Sequence, residues 1–364
     1  MSIPQHQNPT SSTAGGHPSL AEASRSPSLD RLDCELLHAL QTAFPLVESP
    51  FAALGEGLGL TEGQVIERVK RLKALGLIRE LSAIFDSQRL GYRSLLVAME
   101  VEPHRLSSVG KAVSEQPGVS HNYARDHRYN LWFTLTVPPG QDPFAQARNI
   151  HIATGAKSLL LLPVLRRFKI GVSFDLRDRH ALVPTPVDHP EETSSSDAID
   201  ALPQVGVPAL TESERSLVRA LQRDLPLEPR PFLAAATQLG LTESAFLQQA
   251  RNLATRGVMR RFGAVLRHRA AGILGNGMSC WVVPSERVAA VGRAVAEWPG
   301  VTHCYERATA PDWPYNLFAM LHARTKPECL AACAALSAQI GISDYVVLFG
   351  EQEFKKERVR YFEA

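Results

Sequence analysis

Twice in this chain an imidazole, a phenol and a guanidinium recur at every second position, as His121, Tyr123 and Arg125 and again as His303, Tyr305 and Arg307. In an extended strand alternate side chains share a face, so each triplet projects as one polar row. A His assisted by a Tyr can deliver a proton, and an Arg fork grips a planar anion in two places at once. Further cations lie close by: Arg128, Arg166, Arg167 and Lys169 near the first row, and Arg260, Arg261, Arg267, His268 and Arg269 near the second. The set suits a polycarboxylate or phosphate ligand. A plainer reading stands beside it, because Tyr and Arg also cap sheet edges and a lone His more often completes a structure. Retention of all three residue types in both copies favours the functional reading. No Gly-rich phosphate loop, zinc-ligand spacing or nucleophile elbow accompanies the rows.

The segments that must carry these rows read as hairpins. Leu131-Trp-Phe-Thr-Leu-Thr-Val137 and Leu317-Phe-Ala-Met-Leu321 have the aromatic and apolar content of buried return strands. The loops differ: Asp126-His-Arg128 is short, whereas Ala308 to Pro314 is four residues longer and brings in Trp313. Around the first hairpin the order is a strand at Leu95–Val101, a helix at His104–Gln116, the hairpin, a helix over 143–153, and strands at Ser158–Leu165 and Phe168–Phe174. That is the split βαβ order of a ferredoxin-like domain. A shorter alternation, Leu81, Ala83, Phe85, predicts a strand at its entrance. Upstream, the spacing of Leu29, Leu32, Leu36, Leu37 and Leu40, a Pro-initiated second helix at Pro50, and the capping box Thr61-Glu-Gly-Gln64 give three helices with a Gly-containing turn, a helix-turn-helix candidate.

The unit then repeats. Pro50-Phe51, Leu58-Gly-Leu-Thr-Glu62, Gly76 and Gly91 recur 181 positions later as Pro231-Phe232, Leu239-Gly-Leu-Thr-Glu243, Gly257 and Gly272, and Pro117-Gly-Val119 becomes Pro299-Gly-Val301 with one residue added. A match of this length in one register indicates tandem duplication. The expected fold class is α+β, a tandem helix-turn-helix (winged-helix-like) plus ferredoxin-like αβ pair with pseudo-twofold symmetry. The boundaries are a disordered tail at 1–27, helix-turn-helix at 28–80, αβ domain at 81–177, a Pro- and Ser-rich linker at 178–208, then 209–261 and 262–364. A net charge of +2 does not announce a nucleic-acid binder, and 45% hydrophobic with 21% charged residues is ordinary for a globular protein. In the third helix Arg68, Lys70, Arg71 and Lys73 are basic, but its copy at 244–256 keeps only Arg251 and Arg256, which weakens the case for operator DNA. No membrane-length apolar run or secretion signal is present, so the expected location is cytoplasmic. The five cysteines show no Cys-x-x-Cys pair, and Cys329 and Cys333 read as small packing residues.

Each half resembles the Lrp/AsnC-like regulator family, and at the hairpins its specialised branch, the siroheme decarboxylases. The motifs that carry this are Phe44-Pro-Leu46, Ser49-Pro-Phe51 and His121 to Phe133 in the first half, and Arg260-Arg-Phe262, His303-Cys-Tyr-Glu-Arg307, Trp313-Pro-Tyr-Asn-Leu-Phe318 and His322 in the second. Over residues 29–363 the chain resembles a fusion of the two subunit types, the NirDL arrangement of heme d1 biosynthesis. The resemblance implies conversion of siroheme to 12,18-didecarboxysiroheme with loss of two carbon dioxide molecules, on a retained helix-turn-helix scaffold with no specific DNA partner. With the macrocycle itself as electron sink, no cofactor is expected beyond the iron that the substrate brings. Partners compatible with it are a second copy of the chain or other heme d1 biosynthesis proteins. A ligand-responsive regulator and a non-catalytic tetrapyrrole carrier are the alternatives. For the decarboxylase, His121, Tyr123, His303 and Tyr305 are the expected catalytic residues, and Arg125, His127, Trp132, Arg260, Arg261, Arg307, Trp313 and His322 the expected substrate contacts. An imidazole could instead be an axial ligand of the siroheme iron, and the sequence leaves that open. The second hairpin, with its longer loop, is the expected principal site.

Overall fold

The computed structural model describes residues 29–170, 210–266 and 275–363, and the backbone of 173–174 and 184–185. The predicted tail, most of the linker, and Arg267, His268 and Arg269 lie outside the described residues.

Each half opens with three helices, α1 (Arg31–Thr42), α2 (Pro50–Leu58) and α3 (Glu62–Ala74) in the first. The corresponding α6 (Glu212–Leu221), α7 (Leu233–Gln238) and α8 (Glu243–Thr255) open the second. The predicted capping box forms, with Thr61 accepting from the Gln64 amide and the Gln64 side chain returning the bond, and α2 stops at Gly59 in the left-handed conformation. The two triplets of helices are not separate domains. One apolar core runs through both, from Leu36, Phe51 and Leu72 to Leu217, Phe232 and Leu253. Strands β1 (Ile78–Phe85) and β9 (Met259–Leu266) pair antiparallel beneath them and share that core.

This relocates the strand predicted at Leu81–Phe85. Its alternation is real, but its inward residues Leu81 and Ala83 face the helical core, so the strand belongs with the helices and the αβ unit begins later.

The first αβ unit is β2 (Arg93–Glu100), α4 (Leu106–Ser114), β3 (Val119–Arg125), β4 (Leu131–Val137), α5 (Pro143–Thr154) and β5 (Ser158–Leu162), continued after Pro163 by β6 (Val164–Ile170). A short ladder, β7 (Ser173–Phe174) with β8 (Pro184–Thr185), follows. The second unit is β10 (Gly275–Trp281), α9 (Val288–Glu297), β11 (Val301–Arg307), β12 (Leu317–Ala323), α10 (Lys326–Ile340) and β13 (Tyr345–Lys356). The strand order β5-β2-β4-β3-β13-β10-β12-β11-β6 is two ferredoxin-like sheets joined by exchange. The tail of β13 leaves its own sheet to pair with β3, and β6 pairs with β11. Because β6 continues β5, the nine-stranded order returns on itself.

The helices cover one face of each sheet, where Val109, Val113, Ala147 and Ile150 pack in the first unit and Val291, Val295, Cys333 and Leu336 in the second. The opposite faces confront each other. Over part of their area they close a fourth core of Trp132, Trp313, Phe318, Met278, Cys280 and Leu348. Over the rest they stand apart. Among the described residues no helix is long and apolar enough to cross a membrane, and all five cysteines are buried outside any disulfide, as packing residues should be.

Candidate active site

Both polar rows face the space between the sheets. A cavity of about 1710 Å³ lies there, lined by His121, Tyr123, Arg125 and Trp132 from the first unit and His303, Tyr305, Arg307 and His322 from the second. Ligand pockets commonly measure about 300 to 1,000 Å³, so this one suits a larger guest than most.

Two local devices aim each row. Ahead of each strand stands a Pro-Gly turn in which the glycine has positive φ, +80° at Gly118 and +87° at Gly300. A Cβ would lie 2.1 Å from the Thr136 carbonyl oxygen at Gly118 and 2.8 Å from that of His322 at Gly300, so only glycine admits the neighbouring strand this closely. One residue into each strand the register slips, between Val119 and His121 and between Val301 and His303. A bulge of this kind re-aims side chains. It brings Ser120 Oγ to 3.1 Å from His121 Nδ1, and Thr302 Oγ1 to 3.0 Å from His303 Nδ1. Alternate residues then point to the helices as a strand requires: Asn122 donates to the Gly110 carbonyl (2.7 Å), and Cys304 packs against Gly292.

The arginines are fixed by the strand exchange. Arg125 Nη1 donates to the Leu348 carbonyl at 2.7 Å, and Arg307 Nη1 donates to the Leu162 carbonyl at 2.8 Å, each reaching into the other half. Their Nε atoms are buried without a protein partner. Burial lowers both guanidinium pKa values to about 10, leaving them charged at neutral pH. Arg307 also lies over the rings of Tyr305 (5.0 Å) and Phe318 (5.6 Å). Each His ring lies near its Tyr ring, 6.4 Å between centroids for His121 and Tyr123 and 6.2 Å for His303 and Tyr305.

Both imidazoles are neutral in this setting. Burial, then Lys356, His303 and Arg79, depresses His121 to about 4, and burial, then Arg260, Lys169 and Arg307, depresses His303 to about 4. Burial raises the Tyr305 phenol.

Other expected contacts sit elsewhere. Trp313 is buried behind the wall, edge-on to Trp132 (5.2 Å) and His127 (5.3 Å), and does not line the cavity. Its long loop clasps the two halves: Asp312 accepts a hydrogen bond from Tyr129 and faces Arg128 at 3.4 Å. His127 accepts from the Tyr129 amide at 3.1 Å and belongs to the same cluster. Arg261 donates to the Gln41 carbonyl at the end of α1, at 2.6 Å. Arg260 pairs with Asp86 at 2.5 Å. Asp86, which burial would push up, is held below the usual carboxylate range by Arg260 and Arg167. Through it Arg260 bears on Arg167, which lines the cavity opposite Tyr305.

The exchange also brings in residues that no local pattern announced. Lys356 stands opposite His121 and Glu353 opposite Tyr123. Tyr361 and Phe362 complete the wall near the 86–92 loop, the Phe362 amide donating to the Tyr92 hydroxyl at 2.7 Å.

Doubled helix-turn-helix and ligand-binding units around a shared cavity place the chain among AsnC-like proteins. The AsnC-like ligand-binding domain model matches residues 89–169 and 270–355, and the siroheme decarboxylase NirDL-like helix-turn-helix model matches 33–79 and 214–260. A siroheme decarboxylase of Hydrogenobacter thermophilus is 38% identical over 90% of this chain and 94% of its own length. The crystal structure of the siroheme decarboxylase NirDL with an iron-uroporphyrin III analogue superposes with a TM-score of 0.69 at 34% identity, covering 92% of this chain and 95% of that one. A siroheme decarboxylase beta subunit of Methanosarcina barkeri, 42% identical, matches 42% of this chain but 99% of its own length, as a half of a fused pair should. The chain belongs to the siroheme decarboxylase family, in its fused NirDL form.

Proposed function

We propose that this chain converts siroheme to 12,18-didecarboxysiroheme, releasing two acetate carboxyl groups as carbon dioxide, in the heme d1 pathway. The observation that carries this reading is that both His-Tyr-Arg rows, 182 positions apart in sequence, face one cavity between the two sheets. Siroheme is a flat polycarboxylate, which calls for Arg forks between aromatic and apolar walls. Arg125 and Arg307 orient carboxylates, Arg167 adds a cation beside Tyr305, and Trp132 and Phe318 supply the wall. When a ring acetate loses carbon dioxide, the electrons of the broken C–C bond pass into the macrocycle, and the methylene carbon gains a proton to become methyl. His303 or His121 delivers that proton, assisted by the neighbouring phenol. The macrocycle serves as electron sink, so no second cofactor enters the scheme. A polyanion beside a neutral imidazole raises its pKa, so substrate and protons enter together.

Specific DNA binding has no part in this reading. The basic residues of α3 are engaged within the protein: Arg68 with Asp30 (2.8 Å) and Asp33 (2.7 Å), Arg71 with Asp33, Lys70 with Glu67 (2.7 Å) and Lys73 with Asp224 (2.6 Å). In α8, Arg251 donates to the Leu46 carbonyl at 2.7 Å and Arg256 pairs with Glu214. The deciding experiment is anaerobic incubation with siroheme followed by mass analysis of the tetrapyrrole. Loss of two carboxyl groups is expected; recovery of bound but intact siroheme would reassign the protein as a carrier.

A further inference from the structure

The surroundings of His303 contain one group that the scheme above does not use. Thr302 Oγ1 lies 3.0 Å from His303 Nδ1 and 2.9 Å from His322 Nε2, so a single buried hydroxyl joins two imidazoles. Neighbouring residues of a regular strand point to opposite faces; the bulge at Val301–His303 lets the Thr302 hydroxyl reach the next side chain. His322 itself lines the cavity. The first half has the bulge and a hydroxyl, Ser120 at 3.1 Å from His121. At the position of His322, however, it carries Thr136, whose hydroxyl pairs with Ser94 at 2.9 Å. Among the described residues, the second half alone has an imidazole at both ends.

We propose that Thr302 is a positioning residue that relays protons from His322 to His303, an inference that rests on the decarboxylase reading. Burial and the nearby cations Arg260 of β9, Lys169 of β6 and Arg307 of its own strand oppose His303 carrying a proton of its own. A neutral imidazole is a poor acid unless it is resupplied as it gives. In the relay, protonated His322 passes its Nε2 proton to Thr302 Oγ1, Thr302 passes its hydroxyl proton to His303 Nδ1, and His303 releases its Nε2 proton to the substrate carbon. One proton moves in total; His322 ends neutral and protonated on Nδ1, His303 ends neutral and protonated on Nδ1, and the hydroxyl is restored. Holding Nδ1 also leaves Nε2 as the nitrogen available to the substrate.

Single-turnover siroheme decarboxylation under anaerobic conditions, in water and in deuterium oxide, tests this with Thr302→Val, Thr302→Ser and His322→Gln. Thr302→Val keeps the shape but lacks the hydroxyl, and is expected to slow turnover by about 10²-fold with siroheme affinity unchanged. Thr302→Ser should recover most of the rate, His322→Gln should match Thr302→Val, and the double variant should be no slower than either. The solvent isotope effect should shrink when the hydroxyl is lost. Wild-type rates in Thr302→Val or His322→Gln would overturn the relay, as would a Thr302→Ser as slow as Thr302→Val, which would mark a packing role. Should Thr302→Val fail to fold, Thr302→Ser and His322→Gln decide. A wild-type protein that leaves siroheme intact would instead defeat the decarboxylase reading itself.

Discussion

The two polar rows are built to one plan and furnished differently. Opposite the phenol the first row has Glu353 and the second has Arg167; opposite the imidazole the first has Lys356 and the second Ile170. Each Arg is clamped by a carbonyl of the other half at nearly the same distance, and each His is bonded through Nδ1 to the preceding hydroxyl. What duplication preserved is therefore the positioning apparatus: turn, bulge, clamp. What diverged is the electrostatic neighbourhood. A carboxylate at Glu353 repels a polyanion where Arg167 attracts it, and a His322 stands behind only one row. On this comparison we propose that the second row carries the principal chemistry and that the first is a related, weaker site.

The largest effect that can break this comparison is at His303. Removing one general acid costs about 10² to 10⁴ in rate, so His303→Ala should nearly abolish turnover in single-turnover assays while siroheme still binds. If substrate binding is lost as well, the residue is a ligand contact or an axial iron ligand. Next come the clamped arginines. A charge-assisted hydrogen bond contributes about 1.5 to 3 kcal/mol, so Arg307→Ala should weaken siroheme binding by roughly ten- to a hundred-fold in a spectroscopic titration. Arg125→Ala should do less if the first row is secondary. Equal losses would erase the distinction.

A smaller effect sharpens it. Replacing Glu353 with Arg makes the first row resemble the second, and should tighten siroheme binding several-fold at low salt, the gain fading as salt is raised. The smallest expected effect is on stability. Both imidazoles have folded pKa values of about 4, below their ordinary 6.5. The unfolded chain therefore binds more protons in that window, and the stability they contribute is present above 6.5 and lost as pH falls toward 4. Melting temperature should drop over this range, less so in the His121→Asn/His303→Asn double variant, and bound siroheme, by raising the folded imidazole pKa values toward 6.5, should make the drop smaller.

Much of this was legible in the sequence because period-two spacing and duplication are local signals. His121 to Arg125 and His303 to Arg307 could be read as rows on one face, and they are. The helix-turn-helix units and the βαββαβ order followed from caps, glycines and alternation. What was not legible depends on contacts between distant segments. That β13 crosses to β3, and β6 to β11, places Lys356, Glu353 and Arg167 beside the rows, yet nothing in their own neighbourhoods says so. Trp313 illustrates the opposite error: its aromatic ring and Pro-rich loop suggested a ligand wall, but composition does not tell which side of a wall a ring occupies, and Trp132 stands between it and the cavity. His127 neighbours the first row in sequence, and Arg260 and Arg261 form a basic pair in the second half, but neither pattern shows what the side chains bond to. Asp86 and the Gln41 carbonyl, their partners for the two arginines, are far away along the chain.

The central claim, that the second row carries the principal chemistry, is tested most directly by mass analysis of the tetrapyrrole after anaerobic incubation of siroheme with His303→Ala and, separately, with His121→Ala. The expected result is intact siroheme from His303→Ala and a product lacking a single carboxyl group from His121→Ala. Full double decarboxylation by His303→Ala together with none by His121→Ala would contradict the account and move the chemistry to the first row.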